Sequence, residues 1–548
     1  MTCQHRTPIH NASGHKKMKQ RKIGLHHYLA YGSGDFLGAG TAVLTSAWLL
    51  YFYTSFCGLT PIEATLIFAC ARVLDAVVSP LMGYVSDNFG STRLGRRFGR
   101  RKFFILLGIP CIFSYTIMWV GDMAFWYYLL TYLLFDIVYT MILVPYETLV
   151  PEMTDDFKHK SKFSGARIAM GQLSAILAAF LPGVFLSYFG KDNPLSFFYA
   201  SLVLAVICAI VLTLVYCFTW ERPAELKSEA ERRHEQGDEN LTLRERLKRL
   251  SIELTSTFRI KIFRQHLGLY LGGYIAQDVF NAVFTYYVVF VLMQTAQTAS
   301  NLMGVMAILQ FVAVVGMIPL CIRFGPAPAY RVVVILFGLA SVSFALVYYA
   351  GMSDVYSLLL FISAVAGLGR GGINYIPWNI YTYISDVDET ITAQRREGIF
   401  AGVMTMTRKA SQAGAVMLVG IILQMSGFVS GKSVQDPQVS HTILQILSFG
   451  TVGLLAVGFI ISLKFKLNLH THQLLQQENQ RMRSANRPLP ESVSPDIRAT
   501  VEMLTGLKYE SLWGNNNIGY LNRQKAPPVK ANAAHMSSPT SEHDKYAG

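Results

Sequence analysis

Apolar residues run along this chain in long blocks separated by short polar stretches. A helix needs roughly 20 mostly apolar residues to cross a bilayer, and twelve blocks meet that length. They lie near residues 25–53, 62–86, 103–120, 124–148, 165–189, 196–219, 265–293, 301–322, 331–350, 355–384, 398–426 and 441–465. The pattern predicts an all-α membrane protein of twelve transmembrane helices in two six-helix halves. The tenth block is irregular, because GLGRGGINYIPWN puts glycines, an arginine and a proline inside it. That composition suits a broken helix lining a cavity. It suits equally a glycine-rich packing face with Arg370 paired to a carboxylate.

The polar intervals give the orientation. Lys and Arg gather in the N-terminal segment, in the loops at 87–102, 149–164, 323–331 and 385–397, and in the stretch 220–264, whereas the alternate loops show only Lys191 and Lys432. Positive charge marks the cytoplasmic side, so both termini are expected there. The expected organisation is a cytoplasmic segment 1–24, a six-helix bundle 25–219, a cytoplasmic linker 220–264, a second six-helix bundle 265–466 and a cytoplasmic tail 467–548. The linker reads as a charged tether whose last third suits a surface helix. In the tail, SPDIRATVEMLTGL spaces Ile497, Val501, Leu504 and Leu507 for an amphipathic helix, and the last 24 residues are expected to be disordered.

Composition narrows the function. The chain has 548 residues, 52% of them hydrophobic and 15% charged, with a net charge of +14. A basic excess raises the question of nucleic acid, but these basic residues sit at the ends of spans and not on one globular face, so no nucleic-acid partner is expected. The seven cysteines, Cys3, Cys57, Cys70, Cys111, Cys208, Cys217 and Cys321, show neither CxxC nor metal-ligand spacing and are expected to pack. There is no GxxxxGK[ST], no HExxH, no paired-aspartate motif and no nucleophile elbow. The expectation is a monomeric transporter, not an enzyme, without metal or cofactor, driven by an ion gradient and set in a plasma membrane.

Charges inside the apolar blocks are the candidates for function, since each costs several kcal/mol at depth unless paired or wetted. They are Asp35, Arg72, Asp75, Asp136, Glu147, Arg167, Asp278, Arg370, Arg408 and Lys409. Arg72, Asp75 and Ser79, at i, i+3 and i+7, share one helix face. A carboxylate there can take a proton or small cation, and it can equally form a permanent bridge with Arg72. Arg408 and Lys409 lie too deep to snorkel and need an anionic partner from protein or ligand.

These residues resemble a known family. AYGSGDF, ARVLDAVVSPLMG, VPYETLVPEMT and DVDETITAQRREGIFAGVMTMTRKASQA occur in the order seen in the glycoside, pentoside and hexuronide:cation symporters of the major facilitator superfamily, and the resemblance spans roughly residues 25 to 466. It implies cation-coupled import of a sugar by alternating access. Asp75, Ser79 and Arg72 are then the cation-coupling residues. Asp35, Glu147, Arg167, Arg370, Trp378 and Lys409 are the substrate-binding ones, and Asp87, Arg96, Arg97 and Arg101 form a gate or latch in the loop GYVSDNFGSTRLGRRFGRRK. Three departures refine the reading. Ser79 stands where melibiose-carrying members have a second aspartate, so a sodium site would lack a charged ligand, which favours a proton or weak coupling. Gly40 and Leu143 stand near the sugar-binding aspartates of those members. Arg167 and Lys409 match family positions, and Arg370 is added. The segments YFYTSFCGLTPIEA and RLGRRFGRRKFF are similar to those of oligogalacturonide and rhamnogalacturonide carriers, which implies a galacturonate-containing oligosaccharide. A neutral glycoside and, more remotely, a lysolipid are the alternatives.

Overall fold

The computed structural model describes residues 23–513 apart from 155, 191–192, 222–250, 253, 351–354, 394–395 and 485–492. The expected linker helix and the expected disordered end fall outside the described residues. Ten helices among the described residues are long and apolar enough to cross a membrane.

In the first half the helices are α1 (Leu25–Ser55), α2 (Pro61–Asn88), α3 (Lys102–Ile117), α4 (Phe125–Glu147), α5 (Phe157–Phe189) and α6 (Leu195–Phe218). The second half holds α7 (Lys261–Val291), α8 (Ala296–Phe324), α9 (Pro326–Ala350), α10 (Tyr356–Thr392), α11 (Glu397–Met425) and α12 (Pro437–Lys464). α3 and α11 are not among the ten. α3 is short and interrupted after Cys111, one residue past Pro110, and α11 is more polar because it carries Arg408 and Lys409. Local signals set the boundaries. Thr60 and Glu63 cap each other at the start of α2 with Pro61 in the first turn, and at the start of α12 Asp436 accepts from the Gln438 N–H with Pro437 in the first turn.

The tenth block is one continuous helix, so the broken-helix expectation is replaced. Its glycines serve approach. A Cβ on Gly367 or Gly371 would come within 2.5 or 2.4 Å of the α8 carbonyls of Met306 and Gln310, and one on Gly372 within 2.3 Å of Val333 on α9. Pro377 is tolerated inside this helix, where neighbours bond the nearby carbonyls: His266 lies 2.8 Å from the Pro377 oxygen, and Tyr274 donates to that of Asn374 at 3.2 Å.

The two halves meet at one end of the molecule. There Thr54 and Tyr286 share a hydroxyl–hydroxyl bond of 2.5 Å, Thr285 donates to the Ala47 carbonyl, and Ser300 donates to that of Ala179 at 2.7 Å. Gly420 and Gly183 make this contact close, since a Cβ on either would collide with Thr65 or Ser300 across the interface. Toward the other end the same helices diverge. Cβ atoms added at Gly83 on α2, Gly165 on α5, Gly316 on α8, and Gly398, Gly402 and Gly414 on α11 would meet nothing. The molecule is closed at one end and open at the other.

At the open end the tail packs on the second half through α13 (Leu469–Ser484) and α14 (Pro495–Thr505). α14 is the amphipathic helix that the spacing suggests, with Val501 and Leu504 buried. His472 and Asn479 grip α10, the first 2.8 Å from Asp386 and the second accepting from Thr390 at 2.6 Å. Tyr509 donates to buried Glu478, and burial together with that carboxylate pushes its hydroxyl up to about 12.

Candidate functional site

Between the halves, next to their contact, lies a cavity of about 130 Å³. Its charged and polar lining includes Arg72, Asp136 and Tyr139 from the first half and Asp278 and Gln412 from the second. Three groups of acidic and basic side chains lie in this region, and of their members Arg72, Asp136 and Asp278 line the cavity itself.

The central group joins the halves. Asp75 is almost fully buried, with its side chain 2% exposed, and Lys409 reaches it from α11 to form an ion pair. The second oxygen of the carboxylate accepts from Ser79 at 2.7 Å and from Thr140 of α4 at 3.0 Å. Arg72 stands 3.7 Å from Asp75 and donates to the Tyr132 hydroxyl at 3.3 Å. The i, i+3, i+7 spacing therefore does put Arg72, Asp75 and Ser79 on one face, but the shortest partner of Asp75 is Lys409. Asp136 lies beside this group, buried, with Oδ2 lacking a hydrogen-bond partner.

A second group belongs to the first half. Arg167 on α5 donates to Asp35 at 3.0 Å through Nε and to Glu147 at 2.6 Å through Nη2. One guanidinium thus serves two carboxylates from α1 and α4. Asp35 sits where α1 loosens into a π turn at Phe36–Gly40, an irregularity that often accompanies function. Gly171 lets α5 come this close, because a Cβ there would fall 2.2 Å from Asp35 Oδ2. Gly40 faces Ser174 on α5, where a Cβ would fall at 2.2 Å, so this position is helix packing.

The third group belongs to the second half. Arg408 on α11 pairs with Asp278 on α7 at 2.5 Å, and Gln412, one turn along, donates to the same carboxylate at 3.2 Å. Arg370 on α10 is different. Its nearest polar contact is the Met306 sulfur at 3.7 Å, its guanidinium lies 5.8 Å from the Phe280 ring centre, and its Nε has no hydrogen-bond partner. Trp378 is 39% exposed, and its indole N–H donates to Tyr274 at 3.2 Å. That bond fixes an aromatic face beside Arg408, which lies over the Tyr274 ring.

The loop residues proposed as a latch are dispersed. The side chain of Asp87 lies outside what is described. Arg96 and Arg97 are exposed on the short helix Arg93–Phe98. Arg101 pairs with Glu152 and donates to the Thr148 carbonyl within its own half. Thr140, Tyr132 and Gln412 complete the site without having been singled out from sequence. Their signal is three-dimensional, since each partner is 60 or more positions away.

Paired charges between two halves of long apolar helices, with a cavity beside them, are the makings of a membrane transporter. The comparisons give the family. A model described as MFS/sugar transport protein matches residues 30–468, and the chain belongs to that family of the major facilitator superfamily. It is 25% identical to an uncharacterized symporter of Synechocystis sp. over 86% of this chain and 99% of the relative. It is 24% identical to a glucuronide carrier protein homolog of Escherichia coli over 79% of this chain and 90% of that one. Its fold resembles the nucleoside transporter NupG at a TM-score of 0.55 and 16% identity, covering 80% of this chain and all of the other. The protein is a cation-coupled sugar symporter, multi-pass in the membrane, and not an enzyme.

Proposed function

We propose that this symporter carries an anionic sugar inward with a proton, and that Asp75 is the proton's site. The observation that supports this most is the Asp75–Lys409 pair, which ties α2 of one half to α11 of the other beside the cavity. Lys409 is a monovalent cation covalently attached to the protein. With the Ser79 and Thr140 hydroxyls it completes the surroundings of the carboxylate and occupies the place a sodium ion would take. A proton arriving at Oδ2 of Asp75 removes the charge that holds Lys409, so the two halves are released from each other at this depth. Deprotonation toward the low-proton side restores the pair.

α3 and α11 are read as the remaining two of twelve spans. The positive-inside bias then puts both termini and the open end in the cytoplasm, which makes the described state inward-open. A sugar is bound from outside when the closed end parts and is released through the open end. The anionic substrate is supported by charge balance. Asp35, Asp75, Asp136, Glu147 and Asp278 equal in number the cations Arg72, Arg167, Arg370, Arg408 and Lys409. One added proton therefore leaves a net positive site that a single carboxylate neutralises, and moving the pair together avoids carrying net charge through a low-dielectric cavity. A monomer contains every element of this cycle.

The test is uptake in a carrier-null host across a panel of glycosides and uronides. A protonophore should abolish accumulation, and sodium at constant pH should leave it within about twofold. Strong sodium stimulation overturns the proton, and accumulation of neutral sugars alone overturns the anionic substrate.

A further inference from the structure

The charges around the cavity are balanced in total but not in place. The first half holds Asp35 and Glu147 against the single Arg167, one carboxylate in excess. Arg408 and Arg370 of the second half stand against the single Asp278, one guanidinium in excess. The central group, with Asp75 and Asp136 against Arg72 and Lys409, is even. Two of the cations that suit a uronate are accordingly already neutralised by protein, Arg167 by Asp35 and Glu147, and Lys409 by Asp75.

Arg370 is the exception. Among the described residues no carboxylate lies within ion-pair distance of it. Its contacts are a thioether and an aromatic face, and Nε is buried without a partner. Cation–π and sulfur contacts stabilise a guanidinium less than an anion does. The α8 and α10 backbones are pressed together by Gly367 and Gly371 on either side of it, and Arg370 itself is partly buried. A guanidinium kept at this depth without a counter-ion, in the same half as the Asp278 that lines the cavity, is suited to hold an anion.

We infer that Arg370 is the specificity-determining residue that takes the substrate's carboxylate, through its planar N–H fork, while the acidic pole of Asp35 and Glu147 faces the sugar hydroxyls at the other side of the cavity. The inference rests on the anionic-substrate reading and adds to it which cation does the discriminating and which way round the sugar lies. Arg408 supports the site by holding Asp278 away from Arg370. Trp378, fixed by Tyr274, offers a flat face for a sugar ring on the same half.

The experiment measures competition by digalacturonate and by its dimethyl ester on the purified full-length protein in lipid nanodiscs. The two probes match in size and differ in charge. Wild type should prefer the acid by about 30-fold or more, the effect of leaving a desolvated cation unpaired. Arg370→Gln should remove that preference while ester binding stays within a few-fold. Arg370→Lys should retain part of it, since the charge remains and the fork is lost. Asp278→Asn combined with Arg408→Gln is the independent arm: it removes the neighbouring ion pair as a unit, and the acid should still be preferred by at least about tenfold, also if Arg370→Gln fails to fold. An acid preference that survives Arg370→Gln, or one that is lost in the double variant, overturns the assignment while the anionic reading stands. Equal binding of acid and ester by wild type overturns the anionic reading itself, and binding of neither overturns both for uronates.

Discussion

At the closed end Thr54, Tyr286, Thr285 and Ser300 join the halves by neutral hydrogen bonds between hydroxyls and carbonyls. At mid-depth the junction is the ion pair of Asp75 with Lys409. Neutral bonds of this kind contribute about 0.5–1.5 kcal/mol each and do not depend on what is bound. A buried ion pair is different, because its strength is set by the protonation of one carboxylate and removing one partner costs about 3–5 kcal/mol. The contrast separates two tasks. In the proposed cycle the closed end supplies a reversible contact, and the middle supplies the element that a proton changes.

The largest expected effect breaks the central junction. Lys409→Gln leaves Asp75 without its cation, and uphill uptake should fall at least about 100-fold, the consequence of a 3–5 kcal/mol change. Pairing it with Asp75→Asn removes both charges, and exchange across the membrane should recover in part. A double variant no better than the single ones, with normal amounts of protein in the membrane, would make the pair merely structural.

A smaller effect comes from wedging the closed end. Leucine at Gly420 meets Thr65 and the Pro61 carbonyl on α2, so closure at this end should be hindered and the population should move toward the opposite opening. Cysteines placed near Gly83 and Gly402 should become less reactive to an impermeant reagent added from the cytoplasmic side. Unchanged reactivity would mean that this contact does not set the conformation.

Removing single hydrogen bonds should matter least. Tyr286→Phe and Ser300→Ala should each alter transport rates by no more than about tenfold, leaving the ratio of accumulation to exchange as in wild type. His472→Ala, in the tail, should reduce thermal stability without changing that ratio, because the tail grips α10 on the side away from the cavity residues. A change of the ratio in any of these would blur the distinction between contact and coupling.

The sequence made some of this visible and hid the rest for physical reasons. Apolar length alone marked out the ten helices that are long and apolar enough to cross a membrane, because a run of roughly 20 apolar residues is stable as a helix in a bilayer. Helical spacing put Arg72, Asp75 and Ser79 on one face, and depth alone said that Arg408 and Lys409 need anions. Which anions they find depends on how α7 and α2 lie against α11, and that is a tertiary fact with no local signature. GLGRGG was ambiguous because glycine serves a broken helix and a close helix contact equally well. The positions of Met306, Gln310 and Val333 decide for contact. The π turn beside Asp35 changes no composition and was not legible. Arg167 was named as a substrate-binding candidate, and only the fold shows that Asp35 and Glu147 meet the same guanidinium.

The central claim is that Asp75 couples cation movement to sugar movement. It is tested most directly by measuring, in one set of vesicles, uphill accumulation driven by a proton gradient and counterflow exchange without one, for wild type and Asp75→Asn. Exchange needs no net cycling of the cation, so the account predicts that accumulation is abolished while exchange persists at a substantial fraction of the wild-type rate. Accumulation that continues at the wild-type level in Asp75→Asn would contradict it.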